Sequence, residues 1–145
     1  LADQASWELR AFLERHINKR AYVTLKLAVS VDGKIAAAPG EPTAITGEAA
    51  RNRVHLLRAE ADAILVGVST VLADDPDLTC RLPGMVDRSP VRVVSDSKLS
   101  IPLTSRLVAT ANDVPVWIMT TNAADANAMT ALEAKGVLVI RCLAT

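Results

Sequence analysis

Val23-Thr24-Leu25-Lys26-Leu27-Ala28-Val29-Ser30-Val31-Asp32-Gly33-Lys34-Ile35-Ala36 is the stretch on which the reading of this chain turns. Val23, Leu25, Leu27 and Val29 alternate with Thr24, Lys26, Ala28 and Ser30, a period-2 pattern that predicts a buried strand. The run breaks at Asp32-Gly33, where glycine's access to positive φ suits a sharp turn. Polar groups at the end of a core strand are where α/β proteins place ligands.

The 145 residues fit one domain with a real core. Half of them are hydrophobic and the mean hydropathy is positive, which argues against disorder. Trp7, Phe12, Tyr22 and Trp117 are all the aromatics, so the core must be built from Val, Leu, Ile and Ala. Sixteen basic and sixteen acidic side chains cancel, which argues against non-specific nucleic-acid binding but leaves room for a local anion site. No apolar run approaches the roughly 20 residues of a membrane span. The start lacks both a basic leader region and an initiator Met, which suggests residues upstream of Leu1. Cys80 and Cys142 are far apart without metal-ligand spacing, and His16 and His55 are isolated; unpaired thiols in a cytoplasmic protein, with no zinc site, is the expectation.

Outward from the opening stretch, residues 1–18 predict a helix with Trp7, Ala11, Phe12 and Ile17 near one face. Pro39-Gly40-Glu41-Pro42 predicts a loop, and Thr46 an N-cap for a helix to about Glu60. Apolar runs at 63–67, 91–94, 115–119 and 137–140 predict four further strands. Helical segments at 69–73, 105–109 and 124–135 separate them, the last stopped by Gly136. Alternating strands and crossover helices argue an α/β domain with a mostly parallel sheet. The strand ends carry Ser30/Asp32, Gly67/Ser69/Thr70, Ser95/Ser97 and Thr120/Thr121, and parallel strands would gather these groups on one edge, the expected crevice for a nucleotide-like ligand.

Gly67-Val68-Ser69-Thr70 joins a strand to a helix, where a phosphate could meet backbone N–H groups and the Thr70 hydroxyl; ordinary capping by Ser69 or Thr70 is the plainer reading. The segment is neither a P-loop nor G-x-G-x-x-G. Ser95-Asp96-Ser97-Lys98 offers hydroxyls and a cation to an anion such as the 2′-phosphate of NADP, or is simply a turn. Arg58 and Arg81 are candidates for a substrate phosphate, because a guanidinium presents a planar fork to oxyanions; either could equally be solvated. Asp74-Asp75-Pro76 reads as a helix stop, or as a group holding an Arg or a ligand hydroxyl.

Several stretches together resemble one family. Besides Val23–Ala36 they are Ile45-Thr46-Gly47-Glu48-Ala49-Ala50-Arg51, Leu57-Arg58-Ala59, Ala61-Asp62-Ala63-Ile64-Leu65-Val66-Gly67, the continuation Val68-Ser69-Thr70-Val71-Leu72-Ala73-Asp74-Asp75-Pro76-Asp77-Leu78-Thr79-Cys80-Arg81, and Val91-Arg92-Val93-Val94-Ser95-Asp96-Ser97. Spread over residues 21–110, they resemble the reductase domain of the bacterial riboflavin-biosynthesis deaminase/reductases, which are relatives of dihydrofolate reductase. The resemblance implies a dihydrofolate-reductase-like α/β fold. It also implies NADPH-dependent reduction of the ribosyl group of 5-amino-6-(5-phosphoribosylamino)uracil to the ribityl product. Position by position it implies that Ala28, Thr70, Asp74 and Ser97 touch the cofactor, and that Arg58, Leu78 and Arg81 touch the phosphorylated pyrimidine substrate. Asp32 is the candidate polar group at the reacting centre.

The chain departs from the family in two places. Where the family often has a Ser and, two places on, a Trp, this chain has Pro42 and Ala44, and Ala44 cannot stack on a nicotinamide. The family's C-terminal Glu and Gly-rich loop have no counterpart, so the reductase domain, taken as residues 21–145, reads as incomplete at its C-terminus. Residues 1–20 resemble the connector that follows a zinc deaminase domain, implying a bifunctional parent with that domain fused upstream. A cytoplasmic homodimer is implied too, with no nucleic acid or membrane as partner. The competing readings are a dihydrofolate-reductase-like oxidoreductase on another substrate, and a non-catalytic nucleotide-binding or dimerisation module.

Overall fold

The computed structural model describes residues 2–38 and 43–142, so the 39–42 loop, Pro42 included, lies outside the described residues. The chain divides into two compact units, Leu1–Ile35 and Ala36–Thr145. In the first, the helix expected over 1–18 is two helices, α1 (Ala2–Glu8) and α2 (Arg10–Ile17). Helical hydrogen bonds still cross the break, from Leu9 N–H to Ala5 and from Leu13 N–H to Leu9. Arg10 donates to the Trp7 carbonyl at 2.6 Å and lies over the rings of Trp7 and Tyr22. The expected apolar face is not buried: Trp7, Phe12 and Ile17 are exposed.

The strand expected from Val23 is not formed. Residues 21–30 have no strand structure, and Val23, Leu25 and Leu27 are 82, 79 and 63% exposed. The physical reason is that alternation specifies which side chains share a face but supplies no partner edge, and a lone extended segment leaves its backbone groups to water. The turn does form. Gly33 sits at φ +78, its N–H donates to the Ser30 carbonyl, and Ser30 N–H donates to that of Lys34.

The second unit is a four-stranded sheet in the order β1 (Ala63–Gly67), β2 (Val91–Ser95), β3 (Val116–Thr120), β4 (Leu138–Arg141). All neighbours are parallel, as the apolar runs separated by crossovers require. The sheet thus has four strands rather than five, because the first expected strand is absent from it. α3 (Glu48–Glu60) precedes β1, and its N-cap is Gly47 rather than Thr46; the Thr46 carbonyl instead accepts from Arg51. α4 (Val68–Asp74) follows β1, α5 (Arg106–Ala109) is capped by Ser105, and α6 (Ala126–Glu133) is capped by Asp125. Gly136 ends that last connection at φ +86. Among the described residues no helix is long and apolar enough to cross a membrane.

The core lies on one face of the sheet, where Val94, Val116, Ile118 and Val139 meet Val71, Leu107, Val108 and Leu132 from the helices. On the other face Leu65, Val93, Trp117 and Leu138 stand in one cross-strand row. Of these only Val93 is buried. A charged side chain enters the core side of β2: Arg92, fully buried. Its guanidinium donates to the carbonyls of Asp77, Thr110 and Val114 and to the Thr110 hydroxyl. Burial lowers its pKa, opposed by the nearby charges of Asp77 and Asp113.

Replacing Arg92 by Met keeps the bulk and leaves the part-buried Asp77 and Val114 carbonyls without their donor, while the Thr110 carbonyl keeps its bonds from Asp113 and Val114. Arg92→Met should cost about 3 kcal/mol or more, read as a lower urea midpoint at unchanged slope. At Gly136 an added Cβ would run into the Asn112 side chain in a backbone conformation L-residues avoid, so Gly136→Ala should cost roughly 1–2 kcal/mol.

Candidate functional site

Parallel strands carry the ends of β1, β2 and β3 to one edge of the sheet. Gly67 is in register with Ser95, and Ser95 with Met119, next to Thr120. The loops beyond β2 and β3 meet there, with the Thr121 hydroxyl donating to the Ser97 carbonyl at 3.1 Å. Asp96 is buried and organises the turn. It accepts from Ser100 and from the backbone N–H groups of Lys98 and Ile101, which leaves Ser97 and Lys98 exposed. Across the edge, Gly67 caps α4 without a side-chain hydrogen bond, so Ser69 and Thr70 are not capping groups. Thr70 and Asp74 are exposed and one helical turn apart on the same face.

The segment after α4 is held on all sides. Asp75 stops the helix in a left-handed conformation, φ +38, and its carboxylate accepts from Arg106 N–H at 2.8 Å. Asp77 pairs with both Arg81 (3.2 Å) and Arg106 (3.3 Å). Leu78 is buried in the core at φ +56, so only its backbone could reach a substrate. From α3, Arg58 donates to the Thr79 carbonyl at 3.1 Å, and His55 Nδ1 accepts Arg81 N–H at 3.2 Å. Arg58 has its pKa lowered first by burial and then by the charge of Arg81. Its Nε is buried without a hydrogen-bond partner among the described residues. His55 is likewise lowered, by burial and then by Arg58 and Arg81. The one carboxylate facing these cations among the described residues, Asp77, is shared with Arg106.

The structure therefore gathers Arg58 and Arg81, and separately Thr70 and Ser97 along the sheet edge. Asp32 and Ala28 belong to the N-terminal unit. There Asp32 accepts from the Ser30 hydroxyl and pairs with Lys34 at 3.6 Å, and the Ser30 hydrogen bond holds its pKa below the usual carboxylate range. Ala28 is half-buried and Ala44 exposed. The shallow recess of that unit, lined by Glu14 and Arg20 to Val23, contains none of these residues. Among the described residues no three His, Cys, Asp or Glu side chains cluster as a metal site would require. Sequence reasoning passed over His55, Asp77, Arg92 and Arg106. His55 and Arg58, three apart on one helix, were the available signal.

Comparison with known proteins places these features in a family context. The model of the RibD C-terminal domain matches residues 21–144. The riboflavin biosynthesis protein RibD of Bacillus amyloliquefaciens is 43% identical over 139 residues, 96% of this chain and 37% of that protein. A 2,5-diamino-6-ribosylamino-4(3H)-pyrimidinone 5′-phosphate reductase of Methanothermobacter thermautotrophicus is 52% identical over 84 residues, 57% of this chain and 38% of that protein. Among solved structures, the diaminohydroxyphosphoribosylaminopyrimidine deaminase/5-amino-6-(5-phosphoribosylamino)uracil reductase of Thermotoga maritima superposes with a TM-score of 0.73 at 28% identity, over 97% of this chain and 44% of that one. The chain thus spans less than half the length of each. The α/β, dihydrofolate-reductase-like fold class expected from the sequence is the one these comparisons support.

The cationic surroundings of His55 carry a prediction of their own. Its folded-state pKa lies below the ordinary 6.5, so between the two values the unfolded chain binds more protons and stability must fall as pH drops through that window. An NMR titration of the imidazole should give a midpoint below 6.5; a midpoint at or above it would contradict the arrangement described.

Proposed function

This chain belongs to the RibD C-terminal domain family, and from that premise we propose that it is the reductase domain of a riboflavin-biosynthesis enzyme. The reaction is NADPH-dependent reduction of the ribosyl group of 5-amino-6-(5-phosphoribosylamino)uracil to the ribityl product. The observation that carries the reading is the convergence of Arg58 and Arg81 on one short segment, Arg58 bonded to the Thr79 carbonyl and Arg81 to the Asp77 carboxylate. A substrate 5′-phosphate is the ligand that would neutralise both. The name of the archaeal relative, a 5′-phosphate reductase, supports the same class of substrate.

The residues present suit the cofactor. The Thr70 and Ser97 hydroxyls make no side-chain hydrogen bond within the described residues, and Ser97 with Lys98 offers a hydroxyl and a cation to a 2′-phosphate. In the sheet unit Thr70, Asp74 and Ser97 would hold it. When bound, NADPH supplies the hydride. The protein's task is to align its partners and exclude competing reactions. Arg58 and Arg81 anchor the phosphate end, and the backbone at Leu78 shapes the segment between them. Asp32, whose ionised form is favoured by its Ser30 hydrogen bond, is suited to stabilise positive charge, and the same hydrogen bond makes it a weaker base and no proton donor at neutral pH. The reading also carries a cytoplasmic homodimer, with residues 1–20 as connector from a fused zinc deaminase domain and residues 21–145 as reductase.

Parallel titrations with NADPH and NADH test the cofactor. Ser97→Ala should weaken NADPH about tenfold, roughly 1.4 kcal/mol, and leave NADH nearly unchanged; equal loss for both would remove Ser97 from the 2′-phosphate. In steady-state assays Arg81→Ala should raise KM for the phosphorylated substrate about tenfold or more while kcat changes little. If the purified protein turns over no phosphoribosylaminopyrimidine with either nucleotide, the proposed activity is wrong. Asp32→Asn with unchanged turnover at every pH would take Asp32 out of the chemistry.

A further inference from the structure

We propose that His55 is a positioning residue for Arg81, holding it in the pose that receives the substrate phosphate through the hydrogen bond from Arg81 N–H to its Nδ1. This inference rests on the phosphate reading of the Arg58 and Arg81 cluster and adds a residue to it.

The geometry is a two-point clamp. His55 and Arg58 lie three residues apart on α3, on one face of the helix. Both reach the backbone of the same short segment: Arg58 donates to the Thr79 carbonyl at 3.1 Å, and His55 accepts from Arg81 N–H at 3.2 Å. Between them Cys80 is buried, and its N–H donates to the Ser89 hydroxyl at 3.1 Å. The backbone of residues 79–81 is therefore fixed at each position, and the Arg81 side chain leaves it at a defined point. That side chain is more than half exposed and, among the described residues, held only by Asp77. Its direction depends on where its own backbone is pinned.

An Nδ1 that accepts must be unprotonated, which puts the ring proton of the neutral imidazole on Nε2. Protonation would set an N–H against the Arg81 N–H, two donors facing each other, and the segment would have to shift. The charged groups facing the ring are Arg58 on its own helix and Arg81 on the opposing segment. Both oppose protonation, while the Thr79 carbonyl favours it more weakly. Beyond them Asp77 faces Arg58 and Arg81 from the same segment. Burial first, and the two cations after it, thus keep the ring in its accepting form.

Glutamine can offer an amide oxygen to the same N–H but does not titrate. In the full protein, His55→Ala should raise KM for the phosphorylated substrate about tenfold with kcat within about twofold, and His55→Gln should restore KM to near the wild-type value. As pH falls below 6.5, KM should rise more steeply in wild type than in His55→Gln, which carries the same titration of the substrate's own phosphate. A purely structural role would lower the melting temperature of His55→Ala and leave KM unmoved. That result would overturn the proposal, as would His55→Gln behaving like alanine or matching the wild-type pH profile. Arg81→Ala separates the two layers: if it too leaves KM unchanged, the phosphate reading has failed. If only the His55 variants are silent, this inference alone has failed. The Arg81 amide resonance, followed against pH without ligand, should move with the His55 midpoint; an amide that ignores that titration would also overturn the proposal.

Discussion

The structure depends on one buried guanidinium. Arg92 projects from β2 into the covered side of the sheet and satisfies carbonyls at Asp77, Thr110 and Val114. The Thr110 carbonyl also accepts from the N–H groups of Asp113 and Val114, but among the described residues the Asp77 and Val114 carbonyls have Arg92 as their donor, and leaving them unpaired would be costly. The same contact ties the segment after α4 to the turn that leads into β3. The candidate anion-binding segment is therefore hung from the core by its carbonyl oxygens, and the fold and the site share an anchor.

Around that anchor the electrostatics are those of exchange rather than vacancy. Arg81 already has a carboxylate, Asp77, which it shares with Arg106. A phosphate that binds Arg81 must compete with Asp77, and Asp77 keeps Arg106 when it lets Arg81 go. Carboxylate and phosphate are both matched by a guanidinium fork, so the swap leaves no charge stranded. Arg58 is different: it spends its Nη1 on a carbonyl and has a buried Nε with no partner. One cation is poised to change partners and the other is held in place.

What could be read in the sequence was what periodicity and turn chemistry encode. The strands from Ala63 onward formed where apolar runs and flanking polar residues place them, and Gly136 and Gly33 adopt the positive φ their turns require. The stretch from Val23 formed its turn but no strand, because alternation says nothing about the neighbour that must complete a ladder. Thr46 looked like a cap, yet the helix starts one residue later. Among the site residues, Arg58 and Arg81 both reach the segment of residues 77–81. Leu78 proved to be a core residue with an unusual backbone, which no single-sequence pattern reveals. His55 and Arg92 were illegible for a common reason: each acts on the backbone of residues distant in sequence, and a carbonyl or an N–H leaves no trace in the residue code.

The uncovered face of the sheet gives the molecule a built-in optical reporter. Trp117 stands in the row with Leu65 and Leu138, 38% exposed, while the other Trp lies in the N-terminal unit. Indole emission is sensitive to the polarity around the ring, so an apolar surface that settles on that row and excludes water shifts the Trp117 emission to the blue. With Trp7 replaced by Phe, the spectrum of a single ring becomes a running measure of how much of the sheet is dry.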